Sequence, residues 1–182
     1  MALSRLPTTQ FPAHDFLICA GAILFSAPPS PSQPLQLCLL FHTVRKEWLL
    51  PKGRKDRDED VARTATRETF EETGFPCTLL PVNLPTRAPA PGSQTKDHVE
   101  LVEASTEPFM VTMRHVSETN VKMIWWYVAV RTGDKVPGTQ TDVETYESQF
   151  FDVDEALRRA TFQSDRDVIA RAVELVRDTY LK

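Results

Sequence analysis

Three glutamates, Glu68, Glu71 and Glu72, stand close together near the middle of the sequence. On a helix, this i, i+3, i+4 spacing places the three carboxylates on one face, where they repel one another and attract a cation. Hard carboxylate oxygens suit Mg²⁺ or Mn²⁺, which proteins use to neutralise phosphate groups and to activate a water molecule. The spacing therefore indicates metal-assisted chemistry at a phosphate. The alternative that these three residues alone leave open is a solvated acidic helix face.

A helix over residues 59–73 must position these carboxylates, and the local sequence predicts one. The segment contains neither glycine nor proline, alanines and charged residues dominate it, and Gly74 follows as a candidate C-cap. Its thin apolar face consists of Val61, Ala62, Ala65 and Phe70. A helix with so few apolar positions has a second face available for chemistry.

Apolar runs on both sides of this helix predict the strands of a sheet. Residues 16–25 and 35–41 are predicted as two core strands joined by a proline-rich loop. Further strands are expected at 77–82, 99–104, 109–116 and 123–130, with a short helix at 152–160 and a last helix at 165–181. Residues 123–130 are apolar on both alternating faces, as in a central strand covered on each side. Residues 48–50 form a short apolar segment, after which Gly53 is expected to open a charged turn.

The composition sets the class of protein. With 182 residues, 41% of them hydrophobic and 25% charged, we expect a single domain over residues 1–182, with its core at about 16–180 and residues 1–15 flexible. The net charge of -4 argues against a general nucleic-acid or membrane partner. No apolar stretch reaches the roughly 20 residues that a membrane-spanning helix requires. The oligomeric state is left open.

The cysteines indicate the compartment. Cys19, Cys38 and Cys77 lie in or beside apolar runs and lack the spacing of metal ligands. They are therefore expected to be buried thiols in a reducing compartment, which is the cytoplasm or the nucleus.

The three glutamates belong to a longer pattern. It begins with Gly53, continues after five residues with Glu59, and ends after seven more with the run from Arg67 to Phe75, R-E-T-F-E-E-T-G-F. This segment resembles the Nudix box at every charged and glycine position. Seven fixed positions would match by chance in on the order of one chain in a million. Thr69 departs from the pattern, which usually has an aliphatic residue there, but it is nearly isosteric with Val and does not touch the metal chemistry.

The resemblance implies a fold and an activity. The fold is α/β (α+β), an α/β/α sandwich around a mixed β-sheet, and the activity is metal-dependent hydrolysis of a phosphoanhydride bond in a small phosphorylated substrate. By similarity, Mg²⁺ or Mn²⁺ would be bound by the Gly53 carbonyl and the carboxylates of Glu68, Glu71 and Glu72. The resemblance also leaves open a Nudix-fold module that binds nucleotides without cleaving them, although such modules commonly lose box carboxylates.

Catalytic roles also follow from the resemblance. Arg67 would orient a catalytic carboxylate, and Glu59 would lie at the start of the helix, where the helix dipole tolerates negative charge. Glu68 and Glu72 are the candidates for the general base within the box. The candidates outside it are Glu118 and Glu147.

Cations beside the box suggest where the phosphates bind. Lys52, Arg54 and Lys55 lie at the expected helix entrance and suit a chain of several phosphates, although a solvated basic turn is the alternative. Residues 48–53 and 147–162 resemble the dinucleoside polyphosphate (diadenosine tetraphosphate) hydrolase branch of the Nudix family.

Other substrates in the family share parts of this pattern. A diphosphoinositol polyphosphate is the second candidate, and it would favour more cations than these three and Lys96 provide. Capped RNA is weaker, because the chain lacks an added helical domain and a basic surface. The candidates for stacking a base are Trp125, Trp126, Tyr127 and Tyr146, most of which are expected in the core.

Overall fold

The computed structural model describes residues 6–141 and 145–181. These residues form, in chain order, β1 (Phe16–Phe25), β2 (Gln36–His42), β3 (Glu47–Leu49), β4 (Lys52–Arg54), α1 (Val61–Thr73), β5 (Cys77–Leu79), β6 (Val82–Thr86), β7 (Glu100–Ser105), β8 (Met110–His115), β9 (Val121–Arg131), β10 (Tyr146–Asp152), α2 (Val153–Arg159) and α3 (Gln163–Tyr180). The predicted strands and helices occur in the predicted order, whereas β4 and β10 are strands that the sequence analysis does not predict.

One large mixed sheet organises the structure. Within the described residues it has eight strands in the order β10-β2-β1-β9-β5, with β3 paired to β2, β4 to β1 and β8 to β9. β1 and β9 run parallel from Phe16 opposite Val121 to Phe25 opposite Val130, and the neighbouring pairs are antiparallel. β6 and β7 form a separate two-stranded sheet.

Helices cover both faces of the large sheet. Because side chains alternate along a strand, successive residues of β1 enter different cores. Ala20 and Ala22 pack with Ala65 of α1 on one face, whereas Ile23 packs with Ile169 of α3 on the other. The face of the sheet towards α1 and the face towards α3 are called the α1 face and the α3 face below. The predicted α/β/α sandwich around a mixed sheet is confirmed.

Most predicted boundaries differ from the structure by one or two residues, and the following differences matter for the site. The first helix begins at Val61, because the side chain of Asp60 accepts a hydrogen bond from the Arg63 amide and caps the helix. Residues 77–82 are divided between β5 and β6. The charged turn expected to open at Gly53 begins only after Arg54, since residues 52–54 form β4, which pairs with β1.

The remaining composition-based expectations have mixed outcomes. Cys19 and Cys38 are buried thiols, whereas Cys77 is only partly buried, and burial raises the pKa of Cys38 to about 12. In the part of the chain that the structure describes, no helix is long and apolar enough to span a bilayer. The expected flexible segment falls partly on residues 1–5, which lie outside the described residues. Further on, the ring of Phe11 contacts His115 of β8.

Candidate active site

The carboxylates of α1 point towards the sheet. Glu68 and Glu72 are buried, with 9% and 5% of their surface exposed, and Glu71 lies nearer the solvent. The buried side of α1 consists of Thr64, Ala65, Glu68, Thr69, Glu72 and Thr73. A solvated acidic helix face is therefore excluded for two of the three glutamates.

β4 meets these carboxylates through its backbone. The Lys52 amide donates a hydrogen bond of 2.7 Å to Oε2 of Glu72. Gly53 lies on the α1 face, and a Cβ at this position would overlap the Glu68 carboxylate. The close approach of backbone and carboxylate thus requires glycine, which gives the predicted Gly53 a steric reason.

Arg67 joins the box carboxylates into one network. Its Nε and Nη2 donate to the two oxygens of Glu59, each at 2.8 Å. Its Nη1 donates to Glu68 at 2.8 Å and to Glu71 at 2.9 Å. Nη2 also donates to the Arg54 carbonyl at 2.9 Å. All five N–H groups of the guanidinium are used, so Arg67 holds three carboxylates and β4 in fixed relation.

The network shifts the ionisation of its members. The hydrogen bonds from Arg67 lower the pKa of Glu59 to about 2, against burial, with smaller contributions from the Thr64 hydroxyl and the Asp56 amide. The same bonds raise the pKa of Arg67, with Glu59 contributing most. The ion pair is therefore fully charged at neutral pH.

The residues fit a divalent metal ion in type and charge. Glu68, Glu71, Glu72 and the Gly53 carbonyl offer only hard oxygen ligands. Together with Glu59, four carboxylates against the single guanidinium of Arg67 leave three net negative charges. Among the described residues, no three His, Cys, Asp or Glu side chains already converge on one point. Nη1 of Arg67 lies between the carboxylates of Glu68 and Glu71 and donates to both, which keeps these carboxylates apart.

Two of the three predicted phosphate-binding cations lie on one face of β4, and the third follows the end of this strand. Lys52 lies opposite Gly21 and Arg54 opposite Cys19, on the α3 face. Lys55 lies one position further and donates from Nζ to the Asp56 carbonyl at 2.9 Å. The structure therefore brings Lys52 and Arg54 together but not Lys55.

Two further cations join Lys52 and Arg54. Arg114 of β8 pairs with Lys122 of β9, and Lys122 lies opposite Leu17 on the same face. Burial raises the pKa of Cys19, and the charges of Lys122, Lys52 and Arg54 oppose that shift. Burial likewise raises the pKa of Asp165, opposed by Lys52 and Arg114. We call the four residues Lys52, Arg54, Arg114 and Lys122 the basic surface.

The sequence prediction missed Arg114 and Lys122. Arg114 lies next to the end of β8 and Lys122 next to the start of β9, so only the pairing of the strands brings them near β4.

The other candidates lie away from the box. Glu147 is exposed on the α3 face of β10, since its neighbour Ser148 hydrogen-bonds the end of α1. Glu118 is exposed in the β8–β9 turn. The pairing register places Gly53 in line with Trp125. Glu118 precedes Val121 in the chain, and Val121 itself lies four residues, about 13 Å, before Trp125 along β9.

Of the four aromatic candidates for stacking a base, the structure buries two. These are Trp126 and Tyr127, with 1% and 5% exposed. Trp125 and Tyr146 are only partly buried. The sequence expects most of the four in the core, and the structure buries only Trp126 and Tyr127.

The family can now be stated. The sequence model of the family described as NUDIX domain matches residues 35–172, which is well over half of the chain. The chain belongs to the Nudix family. With its full set of box carboxylates, this Nudix hydrolase is a pyrophosphohydrolase, as the sequence predicted.

Solved Nudix structures share the fold. The Caenorhabditis elegans Ap4A hydrolase in a binary complex is similar with a TM-score of 0.59 and 17% identity, over 89% of this chain and 98% of that one. A NUDIX hydrolase from Nitrosomonas europaea has a TM-score of 0.58 and 12% identity, over 90% and 91%. The NUDIX domain of Shewanella oneidensis NrtR complexed with ADP ribose has 0.55 and 16%, over 87% and 86%. At these identities the likeness shows the fold.

Proposed function

We propose that this Nudix hydrolase cleaves a phosphoanhydride bond in a dinucleoside polyphosphate, with Mg²⁺ or Mn²⁺ bound by Glu68, Glu71, Glu72 and the Gly53 carbonyl. One observation carries the proposal. The three-residue strand β4 has the box carboxylates on its α1 face and two cations of the basic surface on its α3 face. A polyphosphate bound around this strand would have one phosphate at the metal site and others on the cations.

Each box residue has a task in this proposal. A bound divalent cation would neutralise phosphate oxygens and make a water molecule more acidic. Arg67 keeps Glu68 and Glu71 oriented through its Nη1 hydrogen bonds. Glu68 or Glu72 serves as the general base, because both are buried beside β4, whereas Glu118 is exposed in the β8–β9 turn and Glu147 is exposed on the opposite face of the sheet.

A long substrate is favoured by the extent of the basic surface. It spans β4, β1, β9 and β8, and neighbouring strands lie about 4.8 Å apart, so the cations extend over more than one phosphate. The sequence similarity of residues 48–53 to the dinucleoside polyphosphate branch supports the same substrate. The solved C. elegans protein with this fold is an Ap4A hydrolase.

A diphosphoinositol polyphosphate is the second candidate, and one structural observation favours it. Arg114 and Lys122 add two cations that the sequence did not place near the site. The basic surface therefore has four cations, one more than the three that the sequence analysis groups at the helix entrance.

The location and the extent of the functional unit also belong to the proposal. We place the reaction in the cytoplasm or the nucleus, since the three cysteines are free thiols. A single domain over residues 1–182 would be sufficient for this reaction.

A substrate panel tests the proposal. Specificity constants would be measured for diadenosine tetraphosphate, a diphosphoinositol polyphosphate, capped RNA and a nucleotide sugar under one Mg²⁺ condition, with and without excess chelator. We expect the first compound to be turned over best and the chelator to abolish turnover. Undiminished turnover in chelator would exclude the metal site, and a higher constant for another compound would exclude the substrate.

Substitutions in the basic surface test the phosphate contacts. Arg114→Ala and Lys122→Ala should lower the specificity constant for a tetraphosphate-linked substrate more than for a diphosphate-linked one, because only the longer chain reaches both cations. Arg171→Ala, on the exposed side of α3, is the matched control. Equal losses for both substrates would show that the basic surface does not bind the distal phosphates.

A further inference from the structure

The last turn of α1 is capped by groups from outside the helix. An isolated helix leaves its last four carbonyls without partners. Here the Gly74 amide donates to the Phe70 carbonyl at 2.8 Å. The Glu71 carbonyl accepts from Oγ1 of Thr139 at 2.8 Å, and the Glu72 carbonyl accepts from Nε2 of Gln140 at 2.8 Å. Thr139 and Gln140 thus bind the backbone carbonyls of the two box glutamates in this turn.

A third side chain completes the cap. Oγ of Ser148 donates to the Thr73 carbonyl at 2.7 Å. Thr73 is the last residue of α1 and carries no carboxylate. Two donors of the cap therefore bind carbonyls of box glutamates, and the third binds the carbonyl of the neighbouring Thr73. Removal of a donor of the first kind can be compared with removal of the second kind.

Gln140 is itself firmly placed. Its Nε2 also donates to the Tyr146 carbonyl at 2.9 Å, and its Oε1 accepts from the Tyr146 amide at 3.1 Å. The loop that carries it is attached to the helix end again by the Val136 amide, which donates to the Gly74 carbonyl at 2.8 Å. Gln140 therefore connects the end of α1 to the first residue of β10.

The chemistry of this cap differs from that of the other two helices. α2 has Arg158 and Arg159 in its last turn, and α3 has Arg177, which are the usual cations at a helix C-terminus. α1 has no basic residue in its own last turn, although Lys135 from another segment packs beside Gly74. The last three carbonyls of α1 are instead satisfied by neutral side-chain donors.

We propose that Thr139 and Gln140 are positioning residues, which hold the last turn of α1 so that the carboxylates of Glu71 and Glu72 keep the geometry needed to bind a divalent metal ion. This inference rests on the proposed metal-binding role of those glutamates. The direction of a helical side chain follows the backbone of its turn, and helix ends fray when their carbonyls lack partners. Loss of either donor should therefore weaken metal binding without changing any ligand.

Paired substitutions of Thr139 test the proposal. Thr139→Val keeps the shape but removes the donor, and Thr139→Ser keeps the donor. Mn²⁺ binding to the purified protein would be measured by electron paramagnetic resonance, and amide exchange would report on the last turn of α1. For Thr139→Val we expect the affinity for Mn²⁺ and kcat each to fall roughly fivefold, because this is the factor that corresponds to the loss of one ordinary hydrogen bond. KM for the substrate should be unchanged, and Thr139→Ser should keep the wild-type values.

A second variant and a control complete the design. Gln140→Met removes the donor to the Glu72 carbonyl and should weaken Mn²⁺ binding by a similar factor. Ser148→Ala removes the donor to Thr73 and should leave Mn²⁺ affinity within about twofold of wild type, even if it lowers the melting temperature as much. Equal loss of Mn²⁺ affinity in Ser148→Ala, or wild-type affinity in Thr139→Val and Gln140→Met, would overturn the inference. A wild-type protein without Mn²⁺ binding would instead overturn the proposed function.

Discussion

α1 and α3 cover opposite faces of the same sheet, yet they bury different chemistry. The buried side of α3 consists of Val168, Ile169, Ala172, Val173, Leu175 and Val176 together with Asp165. α1 buries four threonine or alanine side chains and two glutamates. Apolar burial stabilises α3, whereas α1 depends on Arg67 and on the donors at its C-terminus. A helix that presents metal ligands to the sheet gives up apolar contact and is held by hydrogen bonds from other elements.

The largest expected effect is a loss of activity on substitution of a glutamate in α1 but not of one in α3. Glu72→Gln keeps the shape of a buried side chain beside β4 but removes its charge. Turnover should fall by at least about 10²-fold, as on losing a key catalytic group, while the thermal midpoint stays near that of wild type. Glu174→Gln on the exposed side of α3 is the matched control and should keep full activity. A normal rate in Glu72→Gln would place the reaction elsewhere.

Arg67→Lys tests whether α1 depends on its guanidinium network. Lysine keeps the positive charge but cannot make five directed hydrogen bonds, so Glu59 loses its two-oxygen contact. The free energy of unfolding, measured with urea, should fall by about 2 kcal/mol. The exposed Arg158 of α2 contacts Glu155, and Arg158→Lys should change stability by less than about 0.5 kcal/mol. Similar small values for both variants would mean that α1 is held mainly by packing.

Ile169→Val tests the opposite face. Ile169 is completely buried in the core between α3 and the sheet, and removing one methyl group there should lower the free energy of unfolding by about 1 kcal/mol. Below the unfolding transition, kcat and KM should equal those of wild type. A fall in kcat in the folded protein would show that the two faces are coupled.

The smallest expected effect has the opposite sign and lies on α1. Thr69 is completely buried, and its hydroxyl oxygen has no hydrogen-bond partner among the described residues. Because Val has nearly the same shape, Thr69→Val should raise the free energy of unfolding, by up to about 1 kcal/mol, without changing turnover. Chemical denaturation measures it. A destabilised variant would show that the hydroxyl has a partner such as a buried water.

Much of this contrast could be read from local sequence. The apolar stripe of α3 follows from residue spacing along one helix, whereas of the four residues predicted for the apolar face of α1 only Ala65 is buried. Gly74 ends α1 in the left-handed conformation, with φ of 79°, as its position predicts. β1 was predicted with both of its ends correct. Such features depend on residues within a few positions of each other.

Other features required contacts between distant segments. Gly53 suggests a turn to any local rule, and it lies in a strand because β1 pairs with it. Arg114 and Lys122 join Lys52 only through the register of β1, β8 and β9. Thr139 and Gln140 lie 68 residues from the carbonyls they cap. Residue types alone do not predict such pairings.

The sequence by itself determined which residues could bind a metal and that one helix carries them, because helical periodicity and caps act within a few residues. Only the tertiary structure decided that Glu68 and Glu72 point inward, that Lys55 leaves the predicted cluster, and that four cations share the α3 face. The physical reason is that burial and charge proximity depend on strand register. Register aligns side chains of β4, β1, β9 and β8 on neighbouring strands, about 4.8 Å apart from one strand to the next, although up to about a hundred residues separate them along the chain.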